Sequence, residues 1–254
     1  ENGGGVAVWK LSVVFLMIKS CYFSSTQQRF PIFAGNKIFM LELKKTGDGS
    51  YTLYHPELDE HYHSVHGALA ESTHVFLKAG LEVLKGKELH VFEMGFGTGL
   101  NAFLAAKWAE KHKVKLVYHT VELYPLEAEV WQQLHYASEK DADLFKKLHL
   151  ARWETEERID DFFKLKKRAG DFRSLAMPFG KYNIVFFDAF GPDKQPELWT
   201  QEVFEKLWMA MSPGGTLVTY SAKGAVRRAL LGADFQVERL PGPPGKREML
   251  RAWK

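Results

Sequence analysis

Cysteine is nearly absent: the 254 residues hold one, Cys21. A single thiol excludes an internal disulfide framework and a four-cysteine zinc site, and it fits a reducing, cytoplasmic setting. Long apolar runs are lacking too. Val13 to Ile18, the uninterrupted part of the N-terminal apolar stretch, is far too short to cross a bilayer, which argues against a membrane protein. The flanking Lys19-Ser20-Cys21-Tyr22 offers no small-residue cleavage pattern, so no secretory leader is read there. Net charge is small: 34 Lys and Arg against 31 Asp and Glu leave +3, so any nucleic-acid binding must rest on local clusters. Repeats and low-complexity tracts are missing. What remains is an ordinary globular composition, 46% hydrophobic and 26% charged, for one large domain or one domain with an appendage.

Residues 1–36 read as an extension of doubtful role. Residues 37–84 read as a hairpin and helix packed on the core: strand Lys37 to Leu43, turn Thr46 to Ser50, strand Tyr51 to Tyr54, helix Gly67 to Leu77. Between them lies a polar, aromatic loop with His61, His63 and His66. No cysteine joins these histidines and their spacing fits no single element, so they read as hydrogen-bonding residues and no metal is expected. From residue 85 to 254 strands alternate with helices, the mark of a parallel α/β sheet. The predicted strands begin near Leu89, Lys115, Phe162, Tyr182 and Thr216, and helices follow Gly99 and cover Leu126 to Tyr136, Asp141 to Leu148, Trp199 to Met211 and Ala225 to Leu231. Phe235 to Leu240 and Glu248 to Trp253 read as a closing antiparallel pair.

The most informative stretch is Glu93-Met94-Gly95-Phe96-Gly97-Thr98-Gly99-Leu100-Asn101, a strand end, a glycine turn and a helix start. Glycines allow positive φ and remove the Cβ atoms that would block a ligand from the backbone. The spacing is G-x-G-x-G with an acid two residues ahead, not the G-x-G-x-x-G of dinucleotide enzymes. An acid there repels a pyrophosphate and suits a cationic, hydroxyl-bearing ligand. S-adenosylmethionine fits, having a sulfonium and a ribose but no phosphate. Three more acids stand near strand carboxyl ends, where α/β proteins build ligand sites. Glu122, 23 residues past Gly99, suits both ribose hydroxyls; Asp171 suits an adenine amino group; Asp188 closes the apolar run Ile184 to Phe187. Any one acid in such a place is more often a cap or turn residue, but four in order behind a glycine turn are harder to dismiss.

Taken with Asp188-Ala189-Phe190-Gly191-Pro192, the glycine stretch resembles the tRNA 5-methylaminomethyl-2-thiouridine methyltransferases, the MnmC-like methyltransferase domain. Matching stretches are Tyr62-His63-Ser64, Gly67-Ala68, Glu71-Ser72, Lys194 to Trp199, Pro213-Gly214-Gly215 and Tyr220 to Ala225, so the likeness covers about residues 40–254. The glycine turn is common to many methyltransferases; the longer strings are far more specific. The resemblance implies a Rossmann-like class I fold with a seven-stranded, mostly parallel sheet. It implies S-adenosyl-L-methionine as cofactor, held by Glu93, Gly95, Gly97, Gly99, Asn101, Glu122, Asp171 and Asp188. It further implies methylation of the aminomethyl group of the wobble uridine in tRNA, bound through its anticodon region. No second dinucleotide fingerprint follows, so the expected form is the methyltransferase without the FAD oxidase domain.

Methyl transfer requires an unprotonated amine, and a carboxylate beside it can take the proton and stabilise developing charge. Asp188 is the catalytic candidate, and Phe190 is placed to stack on the uracil or the adenine. Basic residues fall in three clusters: Lys164, Lys166, Lys167 and Arg168; Lys223, Arg227 and Arg228; Lys246 and Arg247. The last two are the candidate tRNA-phosphate contacts, against the blander reading of a solvated face. A methyltransferase for a small molecule or protein, a nicotinamide-dependent oxidoreductase and a non-catalytic nucleotide-binding module are the alternatives.

Overall fold

The computed structural model describes residues 29–34 and 37–254; Cys21 and the N-terminal apolar run lie outside them. Four strands, β1 (Arg29–Ala34), β2 (Lys37–Lys45), β3 (Tyr51–His55) and β4 (Glu60–His61), form an antiparallel sheet in chain order. The β2–β3 turn is closed by Asp48, whose Oδ1 accepts from Thr46 Oγ1 at 2.8 Å and from the Ser50 N–H at 3.0 Å. β1 pairs with β2 along its whole length, so residues 29–34 of the expected extension belong to this sheet.

α1 (Ala68–Ser72) runs directly into a wide π turn, Thr73–Lys78. Then come β5 (Glu88–Met94), α2 (Leu100–His112), β6 (Lys115–Glu122), α3 (Ala128–Trp131), α4 (Ala142–Leu150), β7 (Glu156–Arg158), β8 (Phe163–Ala169), β9 (Tyr182–Phe187), α5 (Gln201–Ala210), β10 (Met211–Thr219), α6 (Gly224–Gly232), β11 (Gln236–Pro241) and β12 (Glu248–Trp253). The main sheet has the order β11-β12-β10-β9-β5-β6-β8-β7. β8, β6, β5, β9 and β10 are mutually parallel, and β7, β12 and β11 close the edges antiparallel. The chain walks outward from β5 through β6 to β8, then returns to the other side of β5 for β9. That reversal opens a crevice at the carboxyl ends of β5 and β9.

Burial on both faces explains the apolar strands. In β9, Ile184 and Phe186 belong to the core under α2 and α4, while Val185 and Phe187 belong to the core under α5 and α6. α2 meets the sheet through small residues, Ala102, Ala105, Ala106 and Ala109, all fully buried, so its axis can lie close to the strands. Among the described residues no helix is long and apolar enough to cross a membrane.

Three expectations change. The sheet gains an eighth strand, β7, whose Glu156-Glu157-Arg158 carries no apolar alternation because it is an edge. The helix expected over Leu126 to Tyr136 shrinks to α3. Leu134 and Tyr136 are both buried although two residues apart, which one helix face cannot accomplish. The strand predicted from Phe162 to Lys166 extends to Ala169, and Lys167 does not join its basic neighbours on a solvated face. It is 1% exposed, and its Nζ donates to the Leu148 and His149 carbonyls at the end of α4. Burial lowers its pKa to about 8, and Phe96 and Trp153 supply ring faces 5.1 and 4.7 Å from the ammonium.

Phe186 is fully buried on central β9, with Phe76 and Tyr118 at centroid distances of 5.1 and 6.0 Å. Phe186→Ala is expected to cost about 3–5 kcal/mol in urea unfolding, the range for a buried phenylalanine whose site cannot collapse.

Candidate active site

A cavity of about 660 Å³ opens at the crevice between β5 and β9, roofed by the loop after β3 and by the β4–α1 connection. Its size suits a nucleoside-sized ligand. Gly95, Gly97, Asn101, Glu122, Asp171, Asp188 and Phe190 line it, whereas Glu93 lies behind the wall.

The glycine turn has the left-handed backbone its composition suggests. Gly95, Gly97 and Gly99 all have positive φ, 88°, 50° and 73°. A Cβ on Gly95 would stand 3.2 Å from the Asp188 carbonyl oxygen, and one on Gly97 would meet the Tyr62 ring at 3.3 Å. One on Gly99 would sit 2.8 Å from His149 Nε2, on a ring stacked at 4.6 Å against Trp131. Burial and the Lys167 charge hold His149 near pKa 3, so it is a neutral packing element whose Nε2 bonds the Thr98 carbonyl. The opposite side of the turn is fixed by His63, whose Nε2 is 2.7 Å from Thr98 Oγ1. The other loop histidines also find protein partners: His61 packs on Tyr54 and His66 lies against Gly245.

The four acids have distinct situations. Glu93 is fully buried, and neither carboxyl oxygen has a hydrogen-bond partner in bonding geometry among the described residues. Burial raises its pKa well above the ordinary range, reinforced by Asp188 and tempered by the neighbouring Thr120, Asn101 and Tyr118 side chains. Burial thus favours its protonated form. Glu122 is the clasp of the turn: Oε2 accepts the Gly97 N–H and Oε1 the Tyr124 N–H, both at 2.9 Å. Each of its oxygens keeps a lone pair for a further donor from the cavity. Asp171 caps the short helical turn Phe172–Ser174 and is clamped by Arg173, with Nη2 2.6 Å from Oδ2, which holds its pKa low. Asp188 is half-buried, and its Oδ2 accepts from Asn101 Nδ2 at 2.7 Å. Burial first and the charge of Glu71 second raise its pKa to about 7; Asn101 and Lys246 pull the other way.

The loop after Asp188 is immobilised carbonyl by carbonyl. Tyr220 O–H donates to the Ala189 oxygen at 2.9 Å, Trp199 Nε1 to the Phe190 oxygen at 2.8 Å, and the Lys194 N–H to the Gly191 oxygen at 2.8 Å. This explains why the string from Asp188 runs on to Trp199. The Phe190 ring faces Tyr62 edge-on at 4.9 Å and His55 at 6.3 Å, an aromatic wall of the cavity. Tyr62 and Glu71, also in the wall, escaped the reading as site residues. Their only signal was membership of the matching strings, since both come from the segment before the α/β pattern begins.

Of the basic candidates, only Lys246 reaches the cavity, and it does so as the partner of Glu71, Nζ to Oε1 2.6 Å. Lys223 is paired with Asp193. Arg227 and Arg228 on α6, and Arg247 in the β11–β12 loop, lie off the cavity wall. A cluster missed as a unit, Lys166, Arg168 and Lys181, rims a shallow cleft of about 170 Å³ beside β8.

These residues fit S-adenosylmethionine better than a pyrophosphate ligand. The turn is glycine at three places where a Cβ would meet neighbouring protein atoms, and the side chains flanking it in the cavity include the acceptors Glu122 and Asp188, with no lysine or arginine on the turn itself. Gly99→Ala is expected to impose about 1–2 kcal/mol of left-handed strain plus a clash with His149. Calorimetry with S-adenosylhomocysteine should then show at least a ~10-fold loss of affinity, one decade being ~1.4 kcal/mol.

Residues 146–254 match the model of an S-adenosyl-L-methionine-dependent methyltransferase family. The chain is 36% identical over 216 residues to the tRNA 5-methylaminomethyl-2-thiouridine biosynthesis bifunctional protein MnmC of Azoarcus sp., covering 79% of this chain and 34% of that protein. The protein of that description from Pseudomonas fluorescens is 32% identical over 213 residues, covering 76% and 32%. The chain thus spans about a third of the length of these curated relatives. Among solved structures, MNMC2 from Aquifex aeolicus superposes with a TM-score of 0.70 at 25% identity, covering 96% of this chain and 82% of that one. Spermidine synthase from Thermotoga maritima, at 12% identity and TM-score 0.53 over 88% of this chain and 72% of that one, shares the fold. The glycine cradle, the acid-lined crevice and these likenesses agree on the class I S-adenosyl-L-methionine-dependent methyltransferase fold, and over 76% of its length the chain is similar to an MnmC protein.

Proposed function

We propose that this protein methylates the aminomethyl group on the wobble uridine of tRNA, giving 5-methylaminomethyl-(2-thio)uridine, in the cytoplasm where tRNA is used. The observation that carries the reading is Asp188, a half-buried carboxylate held by Asn101 beside the glycine turn with a pKa of about 7. The MnmC relatives, named for tRNA 5-methylaminomethyl-2-thiouridine biosynthesis, supply the substrate.

S-adenosyl-L-methionine, when bound, supplies a methyl group on a sulfonium centre. Gly95, Gly97 and Gly99 would hold it against the backbone, Glu122 would take its ribose hydroxyls, Asp171 its adenine edge, and Glu93 with Asn101 would shape the wall behind it. Asp188 receives a proton from the substrate ammonium, turning it into a neutral amine. At pH 7 roughly half of the Asp188 population is ionised and able to do so, since its pKa is about 7. Phe190, backed by Tyr62, offers a ring face to the uracil and excludes water. Arg227, Arg228 and Arg247 remain the candidates for tRNA phosphates; Lys223 would first have to leave Asp193.

Asp188→Asn should keep S-adenosylhomocysteine affinity within ~3-fold while lowering kcat by at least ~100-fold, the usual scale for a positioned acid–base group. Nucleoside mass analysis of precursor tRNA incubated with labelled cofactor measures the turnover. Full activity of the variant would remove Asp188 from the reaction, and label appearing only in protein or small molecules would move the substrate elsewhere. The wild-type rate should fall as pH drops through about 7.

A stability consequence follows from the sign of the shift. Asp188 binds its proton more readily folded than unfolded, so its cost is absent below about pH 4 and complete above about pH 7. Asp188→Asn should therefore raise Tm at pH 8, with the gain vanishing towards pH 4 in calorimetric scans. Charge reversal at Arg227 and Arg228 should weaken tRNA binding and reduce the salt slope by about 1–2, as expected for one or two lost phosphate contacts. An unchanged slope would return both to the solvated face.

A further inference from the structure

Glu71 and Lys246 come from opposite ends of the chain, the first from α1 and the second from the loop between β11 and β12, and they meet in the cavity wall. Glu71 is 5% exposed and binds two partners: Oε1 takes the Lys246 ammonium at 2.6 Å and Oε2 the Ser64 N–H at 2.7 Å. Ser64 ends the segment that carries Tyr62 over Gly97 and His63 onto Thr98. On the other side, Lys246 Nζ sits 3.8 Å from the Tyr220 ring centroid, and Tyr220 O–H donates to the carbonyl of Ala189, next to Asp188. The ion pair therefore ties the roof of the glycine turn to the loop that presents Asp188.

We propose that the Glu71–Lys246 ion pair is a positioning device for Asp188, tying the Tyr62–Ser64 roof of the glycine turn to the Tyr220-held loop that presents the Asp188 carboxylate. This rests on the reading of Asp188 as proton acceptor. The residues facing Asp188 are few. Asn101 donates to it from α2; Glu93 on β5 and Tyr118 on β6 interact with it, both pushed towards their protonated forms by burial; Tyr220 follows β10, pushed the same way, and Glu60 on β4 acts on that phenol. Glu71 and Lys246 are the ionised side chains with the largest direct effect on Asp188, and they act in opposite directions. Lys246 is thereby assigned to the reaction centre and not to tRNA phosphate.

The test is a carboxyl-carbon NMR titration of the full chain labelled at aspartate, with the Asp188 signal assigned from Asp188→Asn. Glu71→Gln, which keeps an acceptor for Ser64, should lower the Asp188 midpoint by about 1 pH unit, and Lys246→Met should raise it by about 1, the scale of one close charge. The double variant should fall between the two, near wild type. Acidic limbs of the rate profile should move in the same directions, and the salt slope of tRNA binding should be unchanged in Lys246→Met. Midpoints that do not move, or that move the same way in both single variants, would overturn the proposal, as would a slope lower by about one. The titration needs no turnover, so failure of the Asp188 reading, seen as an active Asp188→Asn, is recognisable separately.

Discussion

The site depends on the parallel pairing of β5 with β9. Their register sets Glu93 beside Phe186 and Met94 beside Phe187, so both chains leave the sheet at one level. The next residues, Gly95 and Asp188, then pass so closely that a Cβ on the glycine would meet the Asp188 carbonyl. The single hydrogen bond from Asn101 to Asp188 spans 87 residues of sequence and exists only because of that pairing.

Around this junction charge is handled by burial more than by pairing. Glu93 is pushed well above the ordinary carboxyl range, Asp188 is raised to about 7, and the histidines His63 and His149 are held near pKa 4 and 3. Desolvation is the leading cause in every case, because these groups lie between two packed layers and a roof. Burial raises Glu122 too, but Glu122 and Asp171 accept fixed partners, N–H groups and Arg173 respectively, so they hold backbone shape as well as facing the cavity.

The roof comes from outside the α/β core. The small antiparallel sheet and the β4–α1 loop supply Tyr62, His63 and Glu71, and the closing hairpin supplies Lys246. Connecting segments, among them the turn of the closing hairpin, therefore finish the cavity. Function in α/β proteins commonly resides in such connecting segments, positioned by a rigid sheet.

Much of this was legible in the residues. The alternation of apolar runs with helices specifies a parallel sheet because strands covered on both faces must be apolar throughout. The glycine turn declares a close backbone approach because no other residue tolerates three positive φ values there. Local chemistry also announced Asp188 and Glu122 as strand-end acids. Tertiary structure alone decided the rest. It buried Lys167 while leaving Lys166 and Arg168 at a cleft, since side chains alternate faces along β8. It cut the helix at Trp131 because Leu134 and Tyr136 both had to reach the core. It also turned Lys246 from one of several surface cations into the partner of a carboxylate 175 residues away. Local patterns encode backbone shape; which charges meet is set by the closure of the chain around its sheet, and no window of sequence contains that.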